Sequence, residues 1–209
     1  MKRIRIAAWA AVAVLVAGLG AALLLQPAVG GLLARLWGGS SGSMPLAAQI
    51  GGPFELTTHE GRRMSNAELK GKPFAVFFGF SYCPDVCPTT LQELSNVLER
   101  LGPDADRMHY LFVSVDPERD TPEHLKLYLS SFDNHITGLT GTPQEIAAIA
   151  KAYRAVYEKV PTKDGGFTFN HTAVVYLMDR DGHFAGTMNF QESEDVQLKK
   201  LRRLIGVSS

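Results

Sequence analysis

Cys83 and Cys87 are separated by three residues in the segment Ser81-Tyr82-Cys83-Pro84-Asp85-Val86-Cys87-Pro88. Thiolate sulfur is both a nucleophile and a soft metal ligand, so three uses of such a pair compete. A structural disulfide would close a loop too short to remove much chain entropy, and would be a weak staple. A redox-active dithiol is the usual work of two cysteines on such a loop, although the common spacing has two intervening residues rather than three. The third use is a soft-metal site completed by a distant donor. Cu(I) takes thiolate and accepts low coordination, imidazole serves copper in both states, and a three-donor set leaves tetrahedral zinc one ligand short.

The prolines say how the sulfurs are presented. Proline inside a helix lacks its N–H and clashes with the carbonyl four residues back, so Pro84 and Pro88 do not share one regular helix. Pro88 is therefore read as the first helical residue, with Cys87 at the cap and Cys83 on the preceding loop. Unpaired N–H groups at that helix start would favour a thiolate. For the third donor there are six histidines. His59 lies in a polar turn, His124 in the first turn of a helix and His135 in a loop, while His109 and His183 start strands; such positions ordinarily belong to surface or satisfied histidines. His171 differs because Phe167-Thr168-Phe169-Asn170 leads into the strongest late strand, whose start should lie beside the cysteine loop.

The elements that must position these groups follow from periodicity and punctuation. Phe74 to Phe80 is a continuous apolar run, the pattern of a strand buried on both faces. Pro88 to Leu101 carries a helical stripe of Leu91, Leu94, Val97, Leu98 and Leu101, closed by Gly102-Pro103. His109 to Val115 reads as a second strand. Thr121-Pro122 opens a helix to about Phe132, and Thr142-Pro143-Gln144-Glu145 is a capping box opening another to about Val156. Lys163 to Gly166 is a hairpin turn, Thr172 to Met178 a strand, Asp181-Gly182 a tight turn, His183 to Met188 its partner strand, and Ser193 to Ile205 a closing helix. Parallel crossovers finished by an antiparallel hairpin predict a thioredoxin-like α/β fold: a central mixed sheet with helices on both faces. The cysteines fall between its first buried strand and the following helix, where that architecture puts its reactive site.

The 209 residues carry 21 basic and 21 acidic side chains, a balance that argues against nucleic acid as a partner. The charge is unevenly spread. Residues 1–47 hold four bases, no acid and 30 apolar residues, leaving 17 bases and 21 acids for the rest. From Ile6 to Leu25 there are 20 consecutive uncharged residues, long enough as a helix to span roughly 30 Å. Lys2, Arg3 and Arg5 precede that stretch, which orients Met1 to the cytoplasm. Ala28-Val29-Gly30 is the competing signal-peptide cleavage site. The expected organisation is a cytoplasmic N-terminus and transmembrane anchor over 1–27, a flexible linker over 28–47 with Gly38 to Ser43 at its centre, and a thioredoxin-like domain over 48–209. The cysteines then reach an oxidising compartment outside the cytoplasm. Met44, Met64, Met108, Met178 and Met188 form no cluster in the sequence and are expected to pack rather than to relay metal.

Three stretches taken together are familiar: Gly79-Phe80-Ser81-Tyr82-Cys83-Pro84-Asp85-Val86-Cys87-Pro88-Thr89-Thr90, then Val113-Ser114-Val115-Asp116-Pro117-Glu118-Arg119-Asp120-Thr121-Pro122-Glu123, then Asn170-His171-Thr172. Over about residues 46 to 207 the chain resembles the SCO/SenC family of membrane-anchored, thioredoxin-fold copper chaperones that help assemble cytochrome c oxidase. The resemblance implies that Cys83, Cys87 and His171 bind copper, as Cu(I) or Cu(II), and that the partner is the Cu(A) domain of oxidase subunit II. It also implies an upstream periplasmic copper donor or thiol reductant, and a single-pass protein of the inner membrane with its C-terminal domain in the periplasm. The alternative activity is a thiol:disulfide reductase in which Cys83 and Cys87 keep the Cu(A) cysteines reduced; a peroxidase-like or redox-sensing role is suggested by the fold alone. Family members often carry Asp before the histidine where this chain has Asn170, which would remove a carboxylate that orients the imidazole. Asp85, between the cysteines, either meets a partner or stays solvated, and the Asp116 to Glu123 stretch reads as a turn and helix cap without chemistry.

Overall fold

The computed structural model describes residues 50–207. In chain order its elements are β1 (Glu55–Thr58), β2 (Arg63–Ser65), β3 (Phe74–Gly79), α1 (Val86–Leu101), β4 (His109–Ser114), α2 (Pro122–Leu129), β5 (Ile136–Thr140), α3 (Pro143–Tyr153), β6 (Tyr157–Pro161), β7 (Phe167–His171), β8 (Val175–Met178), β9 (Phe184–Met188) and α4 (Glu194–Ile205). Seven strands form one sheet in the order β2-β1-β5-β4-β3-β8-β9, and β6 and β7 form a separate two-stranded ribbon.

Every residue of β3 is buried, as its unbroken apolar run requires of a central strand. It runs parallel to β4 with Phe77 opposite Phe112, and antiparallel to β8 with Phe77 opposite Val175. Successive side chains of a strand point to opposite faces, and the aromatic contacts show both faces covered. Phe77 packs on Phe112, which meets Tyr128 of α2 at 5.9 Å between ring centroids. Phe78, on the other face, meets Tyr153 of α3 at 5.7 Å. The thioredoxin-like mixed sheet with helices on both faces is therefore present. Fully burying side chains of this size contributes on the order of 1.5–3 kcal/mol each, so the sheet centre is the rigid base from which the cysteine loop leaves.

The local signals at α2 and α3 act as their residue types require. Thr121 accepts from the His124 amide with Pro122 at the first helical position, and Thr142 and Glu145 form a reciprocal capping box. Both helices stop about three residues earlier than periodicity predicts, at Leu129 and Tyr153; α3 is closed by Arg154 in the left-handed conformation at φ 53°. Helix α1 begins at Val86, with Asp85 as its N-cap, rather than at Pro88 with Cys87 as cap. Pro88 is the third helical residue, where its missing N–H is one the first turn leaves without an intrahelical partner anyway. The strand expected from Thr172 starts at Val175, and strands β1, β2 and β5 carry no strong periodic signal. The expected anchor, Ile6 to Leu25, and the linker lie outside the described residues. Among the described residues no helix is long and apolar enough to cross a membrane.

Candidate metal centre

The cysteine loop leaves the end of β3, where Phe80 is buried, and Cys83 N–H donates to the Phe80 carbonyl at 3.2 Å. Cys83 is partly exposed and Cys87, the second residue of α1, is fully buried; both are free thiols. Asp85 offers α1 no side-chain capping bond. The Cys83 sulfur takes that role, accepting from Cys87 N–H at 3.4 Å. Gly79 explains how the second sulfur fits so close to the sheet: a Cβ there would stand 2.8 Å from Cys87 Sγ and 2.8 Å from Phe112 Cε2.

His171 closes the third side. It is the last residue of β7, on the ribbon, and does not lead directly into the following strand, which begins at Val175. Its Nε2 lies 3.3 Å from Cys87 Sγ, and one donor atom from each of Cys83, Cys87 and His171 lies within 4.8 Å of the others. The ring stands edge-on between Phe77 and Phe80, with centroids 6.1 and 5.8 Å away. His171 Nδ1 faces the Thr172 carbonyl oxygen at 3.2 Å, which assigns the ring proton to Nδ1 and leaves the Nε2 lone pair towards the sulfurs. The expectation that Asn170 costs the imidazole its orienting partner is thus corrected. Asn170 is exposed, on the opposite face of the ribbon from His171, and the Thr172 carbonyl does the orienting.

The two thiols are driven apart in acidity. Cys83 is pulled down to about 3, first by its hydrogen bond from Cys87 and then by the amides of Asp85 and Cys87, against burial. Cys87 is pushed up, because its proton holds that bond to the Cys83 sulfur and because burial and the neighbouring negative charge disfavour a second thiolate. The resting pair is a half-exposed thiolate beside an interior thiol. Two sulfurs and an imidazole with its other nitrogen committed are a donor set suited to a soft, low-coordinate ion.

Residues to which the sequence assigned no chemistry hold this arrangement. Asp120 is fully buried and accepts from Ser81 N–H at 3.1 Å, from the Ser81 hydroxyl, and from the Ser114 hydroxyl at 2.5 Å. It therefore grips the cysteine loop two residues before Cys83. His124 Nε2 lies 2.9 Å from the same Ser81 oxygen, and its ring stacks on Tyr82 at 5.2 Å. Arg119 pairs with buried Asp116 and reaches across to the ribbon. The signals for them in the sequence are the family-like Val113 to Glu123 stretch and its run of charged residues directly after an apolar strand, which reads equally well as a solvated turn.

The remaining histidines stay apart from the sulfurs. His59 Nδ1 accepts from Gly138 N–H, His135 sits between Asp133 and Asp106, and burial lowers His109 at the start of β4. His183 joins Asp179 and Asp181 in an exposed turn whose donors are also within 4.8 Å of one another. There Asp179 Oδ1 is occupied by the amides of Asp181 and His183. Met64, Met108, Met178 and Met188 are buried core residues; Met44 lies outside the described residues.

Known proteins show the same organisation. A family model for SCO1/SenC matches residues 42–206. The human protein SCO1 homolog, mitochondrial, is 40% identical over 141 residues, 65% of this chain and 46% of that protein. A SCO2-like protein of Rickettsia prowazekii is 34% identical over 156 residues, 69% of this chain and 76% of that protein. The chain thus spans about half the length of the human relative. Among solved structures, Bradyrhizobium japonicum ScoI with copper bound is 52% identical, with a TM-score of 0.70 over 74% of this chain and 99% of that one. Yeast Sco1 with copper bound is 34% identical, with a TM-score of 0.70 over 77% of this chain and 91% of that one. With the family match extending over both cysteines, His171 and the whole described fold, this chain belongs to the SCO1/SenC family.

Proposed function

We propose that this chain is a copper metallochaperone that binds one copper through Cys83, Cys87 and His171 and delivers it to the Cu(A) site of cytochrome c oxidase subunit II. The observation that carries the reading is the convergence of two sulfurs and one imidazole nitrogen within 4.8 Å, with the other ring nitrogen held by a backbone carbonyl. Membership of a family with copper-bound structures supports copper as the ion, and oxidase assembly is the process the family resemblance implies. Copper is cargo here: the chain's own task is to present the partly exposed Cys83 sulfur, the Cys87 sulfur behind it and the imidazole lone pair, from which an acceptor with soft donors can take the ion. Oxidation of the two thiols to a disulfide would remove both thiolates, so redox state gates loading. The apolar Ile6–Leu25 stretch supports a tether to the inner membrane with the domain in the periplasm. The test is copper stoichiometry on the reduced chain. One copper per chain is expected, and equilibrium binding that survived replacement of Cys83, Cys87 and His171 would defeat the reading.

A second reading, a thiol:disulfide reductase for the Cu(A) cysteines, is favoured by the acidity split, since an exposed low-pKa thiolate backed by an interior thiol suits disulfide exchange. It needs no imidazole. Full oxidase maturation by His171→Ala, with loss in Cys83→Ser, would select the reductase; loss in both selects delivery.

A further inference from the structure

His171 reaches the sulfurs from a ribbon that shares no backbone ladder with the seven-stranded sheet. Beyond the short link from His171 to β8, its distance from the cysteines is therefore set by side chains. Resting on the copper reading above, we propose that Arg119 is a positioning residue for the third donor: it fastens the β6–β7 ribbon to the cysteine loop and so fixes where His171 stands.

Arg119 touches both pieces that must be kept in register. Its guanidinium carbon lies 4.7 Å from the ring centroid of Tyr82, the residue before Cys83, and 4.0 Å from that of Phe167, the first residue of the strand that ends in His171. Nη1 also donates to the Phe167 carbonyl at 3.3 Å. The group is anchored from the sheet side, because Nε pairs with Asp116, a fully buried carboxylate two residues beyond β4. A planar cation can stack on an aromatic face while its edge donates hydrogen bonds, which an ammonium cannot do. Arg119 itself is 26% exposed in its side chain, so solvent screens this clamp only in part. Lys159 pairs with Glu118 at 2.9 Å and lies 3.7 Å from the Phe167 ring centroid, but it comes from the ribbon itself and its link to the turn is well exposed at both ends and contributes little. Neighbouring Asp120 holds the base of the same loop through Ser81. One short turn after β4 thus sets the sulfurs with one residue and the imidazole with the other.

The test is a double-mutant cycle on the reduced full-length chain: parent, Arg119→Ala, His171→Ala and the double variant, each titrated with Cu(I) against a chromophoric chelator. Arg119→Ala is expected to weaken Cu(I) binding by roughly tenfold. In the His171→Ala background the same change should alter binding by less than about twofold, because the donor it positions is gone. Arg119→Lys, which keeps the charge and loses the plane, should follow Arg119→Ala, and Cu(II)-loaded samples of both should show altered imidazole nitrogen coupling in electron paramagnetic resonance. Equal weakening in both backgrounds, or none in the single variant, overturns the proposal. His171→Ala that binds like the parent would sink the three-donor site itself, and this role with it. Should Arg119→Ala fail to fold, Phe167→Leu, which removes the stacking face and keeps an apolar contact, is carried through the same cycle: weakening confined to the background that retains His171 supports the clamp, and equal weakening in both backgrounds, or none, overturns it.

Discussion

Replacing Gly79 by Ala tests whether the sulfur of Cys87 is held in place by the missing side chain opposite it. An added Cβ would lie 2.8 Å from Cys87 Sγ and 2.8 Å from Phe112 Cε2. Comfortable separations between such atoms begin at about 3.5 Å, so the sulfur, the ring or the end of β3 must yield by roughly 0.7 Å. The Phe112 ring is fully buried and packed on Phe77 and Tyr128 and cannot take up the whole displacement, so the cysteine must take a share of it. Overpacking of this kind costs about 1–3 kcal/mol, equivalent in a chain of this size to a fall in Tm of roughly 2–12 °C. A binding constellation tolerates displacements of only about 0.5 Å, so Gly79→Ala should also lose copper affinity and shift the thiolate-to-Cu(II) absorption. Gly138→Ala is the control: its Cβ would meet Leu129 Cδ1 at 2.6 Å, against a neighbour outside the donor set. Both variants should lower Tm, but only Gly79→Ala should change the copper spectrum. If Gly79→Ala destabilised the chain while leaving affinity and absorption at parental values, the close approach would have no bearing on the site.

The acidity split predicts a stability optimum. Cys83 is held deprotonated from about pH 3 upward in the fold and only above about 9 when unfolded, so the reduced chain should gain stability as pH rises through that window. Cys87 is raised in the fold, so its contribution is present below about pH 9 and is lost above it. Tm against pH for the parent minus that for Cys83→Ser/Cys87→Ser should therefore rise and then fall, and a flat difference would contradict the split. The alkylation rate of Cys83 with iodoacetamide should be nearly constant between pH 5 and 8, where an ordinary thiol gains about tenfold per unit; a tenfold slope would refute the lowered pKa. Cu(I) loading at pH 7 should release about one proton, from Cys87, measurable by pH indicator in weak buffer, with two expected if both sulfurs start as thiols. Asp120→Ala strips the buried Ser114 hydroxyl and the two part-buried donors of Ser81 of their acceptor and should cost about 2–4 kcal/mol in urea unfolding; a loss below about 1 kcal/mol would mean that Ser81 and Ser114 find other partners.

The parts of the fold that were legible were those whose burial is written in one dimension. The apolar run of β3, the stripe of α1 and the caps of α2 and α3 needed no tertiary context. Strand β5 was not legible because Gly138 breaks a five-residue segment next to a polar loop, and β1 and β2 are short strands with alternating exposure. The start of α1 was misplaced by two residues because a sulfur serves as its cap acceptor, a role absent from the usual set of capping side chains. For the site, Cys83 and Cys87 announced themselves by spacing, whereas His171 was singled out through a strand that begins three residues later than its sequence suggests. What placed it was the ribbon, and what places the ribbon is side-chain contact with Arg119 and Phe80, which no periodicity encodes.

The Cys83 sulfur is at once a prospective donor to a metal and the acceptor for the amide of Cys87. Any event that draws electron density from that sulfur, whether coordination or oxidation, must weaken the bond that starts the helix. The amide proton of Cys87 is in consequence a built-in reporter. Its nuclear magnetic resonance shift should take distinct values in the dithiol, disulfide and loaded forms, so that chemistry at one atom can be followed from the backbone without any label on the thiols.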